Sequence, residues 1–173
     1  MQIKVLHSRD DLRKSMESLT SLLQEAIADG FSLGFWADPA EIELFDFWTV
    51  EFATMRAGKN LILVAEEDDQ VVGCVIVDFA TKANAIHRAE IKKLLVARSK
   101  RRSGVGRALM QAAENAAMEH GRWLLVLDTE INSGADDFYR GLGFQELGTI
   151  PEYAGSPRGE LIGSTFFWKI LPH

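Results

Sequence analysis

From Arg88 to Asp128 the chain passes through a strand-like stretch, a glycine turn, a helix-like stretch and a second strand-like stretch, and this order constrains the fold more than any other feature. RAEIKKLLV suits a strand and RRSGVG a turn. Ala108, Leu109, Ala112, Ala113, Ala116 and Ala117 then recur at helical spacing until His120-Gly121, and WLLVLD is a buried apolar run. Two strands joined through a helix lie parallel, because the crossover carries the chain back to the end at which it started. Upstream, NLILVAEE and VVGCVIVDF flank Asp68-Asp69-Gln70 and predict an antiparallel hairpin. A chain of 173 residues has room for one substantial core rather than two. The expectation is a single domain over residues 1–173, of mixed α/β (α+β) class, with a central, largely antiparallel sheet and one parallel junction.

Caps and periodicity supply the other elements. Met1 to Leu6 reads as a short strand, and Ser8 with Asp11 caps a helix whose apolar positions run from Leu12 to Ile27 before Asp29-Gly30 stops it. Asp38-Pro39-Ala40-Glu41 predicts a second helix, turned inward at Ile42, Phe45, Trp48, Thr49, Phe52 and Met55 and ending near Gly58. A short helix over about 134–142, a strand GFQELGTI, a loop PEYAGSPRGE and a last strand near 164–171 complete the chain.

Charge narrows the partners. The formal net charge is −6, so the summed field repels nucleic acid and anionic membrane, and neither is expected as a partner. The apolar runs are too short to span a bilayer and the N-terminus has no signal-like core, which predicts a cytoplasmic protein. The single cysteine, Cys74, lies within VVGCVIV and reads as a buried hydrophobe. The histidines at 7, 87, 120 and 173 lack metal-ligand spacing, so no metal is expected.

Against that acidic background, Arg98, Lys100, Arg101, Arg102 and Arg107 crowd one turn. Helix-initial amides have no intrahelical partner and sit at the positive end of the helix dipole, which makes this corner a candidate anion cradle. Glycines at 104 and 106 would let phosphate oxygens approach the backbone. No Gly-Lys-Ser/Thr ending marks a Walker loop, and Leu109 stands where a dinucleotide fingerprint needs its third glycine. A solvated basic turn remains the alternative from this motif alone.

The stretch resembles the pyrophosphate loop of the GNAT superfamily of N-acetyltransferases, Gln/Arg-x-x-Gly-x-Gly/Ala, with Arg101, Gly104 and Gly106 at the defined positions. AEIKKLLV is similar to that family's fourth strand, FYRGLGF to its Tyr-x-x-Leu-Gly-Phe segment, and Asn132 precedes Tyr139 by seven residues, a familiar family spacing. Over most of the chain, HRAEIKKLLV, RRSGVGRALMQAAE, GRWLLVLDTE, GTIPEYAGSP and STFFWKIL resemble the branch of tabtoxin resistance proteins, which acetylates small amino-containing molecules. Glu130-Ile131-Asn132 departs from that branch, which leaves the substrate open.

The resemblance implies an acyl-CoA N-acyltransferase fold in which the fourth and fifth strands splay apart and acetyl-CoA lies in the gap. It would be held by Arg101, Arg102, Ser103, Gly104, Val105, Gly106 and Arg107 at the diphosphate, by the backbone of Leu94, Leu95 and Val96 along its arm, and by Asn132. Glu90 is implied as the general base with Asp128 as the second carboxylate, Tyr139 as the general acid, and an amide at Leu95 or Val96 as an oxyanion donor. Phe31, Phe35, Trp36 and Tyr153 would form apolar walls of an acceptor pocket, and Asp78, Asn84 and His87 polar ones. The implied acceptor is a small-molecule primary amine, with toxin or antibiotic resistance as a role. Protein N-terminal or lysine acetylation and a non-catalytic CoA-binding module stay open as alternatives. A homodimer is common among similar proteins, and an exposed Trp168 would fit one.

Overall fold

The computed structural model describes residues 1–173. Its elements are β1 (Gln2–Val5), α1 (Arg9–Ala28), α2 (Glu41–Arg56), β2 (Asn60–Glu67), β3 (Gln70–Phe79), β4 (Arg88–Val96), α3 (Val105–Glu119), β5 (Leu124–Glu130), α4 (Ala135–Arg140), β6 (Gln145–Gly155) and β7 (Leu161–Ile170). The strands form one sheet in the order β1-β2-β3-β4-β5-β7-β6. Every neighbouring pair is antiparallel except β4 with β5, so the parallel junction expected from the strand–helix–strand order is present.

Helices cover both faces. Leu109, Met110, Ala113 and Ala117 of α3 pack on Val75, Val77, Ala89, Ile91, Leu125 and Leu127, while Leu19, Leu23 and Ile27 of α1 and Leu44 and Trp48 of α2 pack on Ile62, Val64, Cys74 and Ile76. Successive residues of β3 therefore enter different cores, which is why VVGCVIV is apolar without a break. Cys74 is fully buried, and burial pushes its thiol up to about 12.

The caps act as read for α1: Ser8 Oγ accepts from the Asp11 amide at 3.1 Å and Asp11 returns to the Ser8 amide at 2.9 Å. Asp68 and Asp69 both hold positive φ, 51° and 60°, the left-handed pair that a two-residue hairpin needs to follow the strand twist.

Three local readings are corrected. The helix expected from Asp38 begins at Glu41; Asp38 has φ 52°, and it is the Glu43 carboxylate that accepts from the Ala40 amide, at 3.3 Å. Its inward stripe is Leu44, Trp48 and Phe52, and Ile42 is 63% exposed. PEYAGSPRGE is not one loop, since β6 continues to Gly155 through a bulge between Ile150 and Ala154 that absorbs Pro151 and the positive φ of Glu152. Trp168 is half-buried in β7; the exposed apolar side chains nearby are Leu147, Ile150 and Tyr153 of β6. No helix is long and apolar enough to cross a membrane.

Candidate functional site

β4 and β5 are paired only at Arg88–Leu124, Ala89–Leu125 and Glu90–Val126. Beyond Glu90, β5 stays registered with β7 as far as Glu130 and Ser164, but β4 leaves it. A bulge causes the departure. Cys74 faces Leu95 and Ile76 faces Lys92, so Lys93 and Leu94 together oppose Val75, and Lys93 takes φ 51°. The gap holds a cavity of about 1090 Å³, and along it the edge of β4 has no partner strand.

Leu94, Leu95, Val96, Arg101, Arg102, Gly104, Gly106 and Arg107 line this cavity, together with Glu90, Asp128 and Tyr139. The expected cradle and the expected carboxylates therefore share one cleft. Gly104 is the N-cap of α3 at φ 94°, a left-handed conformation that glycine adopts without a Cβ penalty. The first bond of the helix runs from the Ala108 amide to Gly104 O, and the amides from Arg102 to Arg107 make no hydrogen bond within the protein. Ser103 and Val105 belong to the turn without lining the cavity, and Val105 is buried in the core below α3.

The cations of the turn divide into two kinds. Arg101 donates from Nε to Val96 O at 3.2 Å and from Nη1 to Asp29 at 2.7 Å, tying the end of β4 to the end of α1. Arg98 also pairs with Asp29, and Lys100 with Glu67. Arg102 and Arg107 make no ion pair, and both line the cavity.

At the vertex of the cleft, Glu90 faces Asp78 across β3 and β4. Burial raises its carboxyl above the usual range; the Lys92 ammonium opposes that shift, and the charges of Asp78 and Asp128 add to it. Asp78 is ion-paired to Lys92 at 2.7 Å, which also lies 3.6 Å from Glu51. Tyr139 is 8% exposed and packed edge-on to Phe138 and Phe144. Burial, reinforced by Asp128, pushes its hydroxyl well above the usual value, so the proton stays on oxygen.

The two segments expected to wall an acceptor pocket meet over the cleft. Ser32 Oγ donates to Gly155 O at 2.7 Å, the Ala37 amide to Pro157 O at 2.8 Å, and the Ser32 amide to the Glu130 carboxylate at 2.9 Å. The Trp36 ring lies over Gly155 so closely that a Cβ there would approach it to 3.0 Å. Phe31, Ser32 and Leu33 line the cavity from this arch.

Other expected pocket residues lie outside the lining. Phe35 packs on Phe47, Trp36 is 68% exposed, and Tyr153 packs on Phe166. Asp78 acts behind Lys92, Asn84 occupies a single 3-10 turn, and His87 stacks on Trp123 at the closed end of the β4–β5 pair. Asn132 is exposed at φ 61°, and Ser133 lines the cleft in its stead, its Oγ accepting from the Ala135 amide at 3.3 Å. Sequence reasoning also missed Lys93, Thr129, Glu130 and Phe138 as lining residues. Alternation along β5 places Glu130 on the face of Asp128 and would have found it; Lys93 reaches the cleft only through the bulge. No group of three or more His, Cys, Asp or Glu side chains gathers anywhere as a metal site.

Residues 58–146 match the acetyltransferase (GNAT) domain family, and the chain belongs to that family. An uncharacterized N-acetyltransferase of Chlorobaculum tepidum is 34% identical over 98 residues, which make up 53% of this chain and 58% of that protein. The shared segment thus spans little more than half of that relative. Among solved structures, a ribosomal-protein-alanine N-acetyltransferase from Brucella melitensis superposes with TM-score 0.80 at 25% identity, over 99% of this chain and all of that one. A phosphinothricin acetyltransferase from Sinorhizobium meliloti, solved in complex with acetyl-CoA, superposes with TM-score 0.79 at 17% identity over 98% of this chain and 88% of that one, a likeness of fold.

Proposed function

We propose that this protein is an acetyl-CoA-dependent N-acetyltransferase acting on the primary amine of a small molecule by direct attack within a ternary complex. One observation carries the reading: Arg102, Gly104, Gly106 and Arg107, of the turn whose amides are unpaired, line the same cavity as Glu90, Asp128 and Tyr139. Free amides beside two unpaired arginines suit a diphosphate, and the partnerless edge of β4 suits an arm that carries its own amides. The residues present therefore fit acetyl-CoA. Arg102, Gly104, Gly106, Arg107 and the neighbouring amides would hold the diphosphate, and the backbone of Leu94 to Val96 the arm.

When bound, acetyl-CoA supplies an acetyl thioester. An alkylammonium acceptor with an ordinary pKa of about 10.4 must first lose a proton, and Glu90, alone or with Asp128, takes it. The freed lone pair attacks the carbonyl carbon while a β4 amide at Leu95 or Val96 meets the developing oxyanion. As the thiolate leaves, Tyr139, kept protonated by its burial, would give its proton to sulfur and regain one from the nitrogen of the new amide, which has a second proton to lose.

The arch joining Ser32 and Ala37 to Gly155 and Pro157 supports a small acceptor over a peptide, because it roofs the cleft where an extended chain would have to pass. The resemblance to the tabtoxin-resistance branch points the same way, toward amino-containing toxins or antibiotics. The Brucella likeness favours a second reading, acetylation of a protein N-terminus. Thiol release from acetyl-CoA, measured against amino acids, toxin-like dipeptides, aminoglycosides, polyamines and N-terminal peptides, separates the two. Turnover confined to peptides would overturn the small-molecule reading, and no turnover with any amine would overturn the enzyme.

A further inference from the structure

Two adjacent lysines, Lys92 and Lys93, point from β4 toward the same helix, which a regular strand forbids, since successive side chains alternate between faces. The left-handed φ of 51° at Lys93 turns its side chain away from the α3 core and onto the α2 side. There the ammonium lies 5.4 Å from the Phe47 ring centroid and donates to Leu33 O at 2.8 Å. Lys92 is neutralised by Asp78 and flanked by Glu51, whereas no carboxylate pairs with Lys93.

A largely buried ammonium with one carbonyl as its only hydrogen-bond partner is short of an anion. Desolvation, with Lys92 adding to it, pulls its pKa below the usual lysine value, while Glu51 and Asp128 pull the other way. Lys93 nonetheless lines the cavity, on the face of β4 that carries Glu90, and the arch fixes the carbonyl that holds it. Beside the carboxylates of Glu90, Asp128 and Glu130, Lys93 is thus a cation without a carboxylate partner on the β4 face that carries Glu90, whereas the unpaired Arg102 and Arg107 belong to the turn before α3. An acceptor that carries an ammonium and an acid group complements both.

Resting on the acetyltransferase reading above, we propose that Lys93 anchors the carboxylate of the acceptor, so that the substrate class is amino acids and amino-acid-like acids rather than polyamines or aminoglycosides. The amine then faces Glu90 while the acid group takes the donor capacity that Leu33 leaves unused.

The test compares L-amino acids with their carboxamides, which keep the amine and lose the anion, in a thiol-release assay on the wild type, K93M and K93R. The wild type should prefer the acids. K93M should raise KM for the acid at least about tenfold more than for the amide, the scale of one charge-assisted hydrogen bond, and K93R should restore part of the difference. Melting temperature and acetyl-CoA affinity by calorimetry establish that each variant is folded. Equal use of acid and amide by the wild type, or a K93M loss that falls equally on both, overturns the anchor and leaves the enzyme standing. If the wild type neither binds acetyl-CoA nor releases thiol with any amine, the acetyltransferase reading fails and the anchor with it.

Discussion

Glu90 and Val126 are the last residues to face each other across β4 and β5, and the cleft opens directly beyond them. A carboxylate at this vertex has protein on one side and the cavity on the other, and it feels the charges of Asp78 and Asp128. Its raised pKa follows from that position, because desolvation and like charge both disfavour the ionised form.

For a base, the protonated form is the inactive one. In the wild type kcat/KM should therefore fall as pH drops through a midpoint above the ordinary carboxylate range, and E90Q should abolish that limb and cost about a hundredfold in rate. Stability should move the other way. Between the ordinary and the raised pKa the folded protein binds more protons than the unfolded chain, so stability falls as pH rises through that window. E90Q should be slightly more stable than the wild type at neutral pH, with the gain vanishing in acid. Activity profiles and thermal melts across pH check both. A limb unchanged in E90Q but lost in D128N would move the base to Asp128.

Tyr139 is packed among Phe138, Phe144 and Phe167, so removing its oxygen leaves the ring contacts in place. Tyr139→Phe should lower kcat by about a hundredfold with acetyl-CoA affinity nearly unchanged. Single-turnover kinetics and calorimetry separate the two effects. A parallel loss of affinity would make Tyr139 a packing residue.

The two glycines of the turn should respond differently. Gly104 has open space where a Cβ would go but a φ of 94°, so Gly104→Ala should strain the cap by about 1 kcal/mol. Gly106 has no positive φ, and a Cβ there would meet the Phe138 ring at 3.5 Å, an ordinary contact. Gly106→Ala should fold normally, whereas Gly106→Glu should abolish acetyl-CoA binding by adding a negative charge to the phosphate path. Calorimetry on the three variants decides; normal binding by Gly106→Glu would move the cradle elsewhere.

Most of the sheet was legible because its signals are local or periodic. The helix-initiating turn at Gly104, the Ser8 capping box and the hairpin at Asp68-Asp69 each rest on a few adjacent residues whose chemistry allows little else. The bulge at Lys93 was not legible, since lysine has no special tolerance for positive φ and only the competing registers of Leu95 and Lys92 against β3 impose it. The arch was equally hidden. Its bonds join Ser32 to Glu130 and Gly155, residues far apart in sequence with no pattern to announce the contact. Asn132 and His87 lie outside the cavity lining for the same reason: a motif spacing fixes a position along the chain but not the rotation of a turn or the end of a sheet at which a ring stacks.

Gly73 links the core to the cleft. It pairs with Val96 at the end of β4, and a Cβ on it would lie 3.0 Å from Leu95 O, 3.0 Å from Leu109 Cδ1 and 3.1 Å from Val105 Cγ1. The two side chains can shift by a few tenths of an ångström. The Leu95 carbonyl cannot move without disturbing the backbone just past the bulge, where β4 turns toward the cradle. Gly73→Ala should therefore destabilise the fold by about 1–3 kcal/mol, as overpacking does. Because the strain falls on Leu95 and on the first turn of α3, it should also weaken acetyl-CoA binding several-fold. Chemical denaturation and calorimetry on the same preparation check the pair of effects. A variant that loses stability but binds with wild-type affinity would show that α3 and β4 yield separately, and that the cradle does not depend on this close approach.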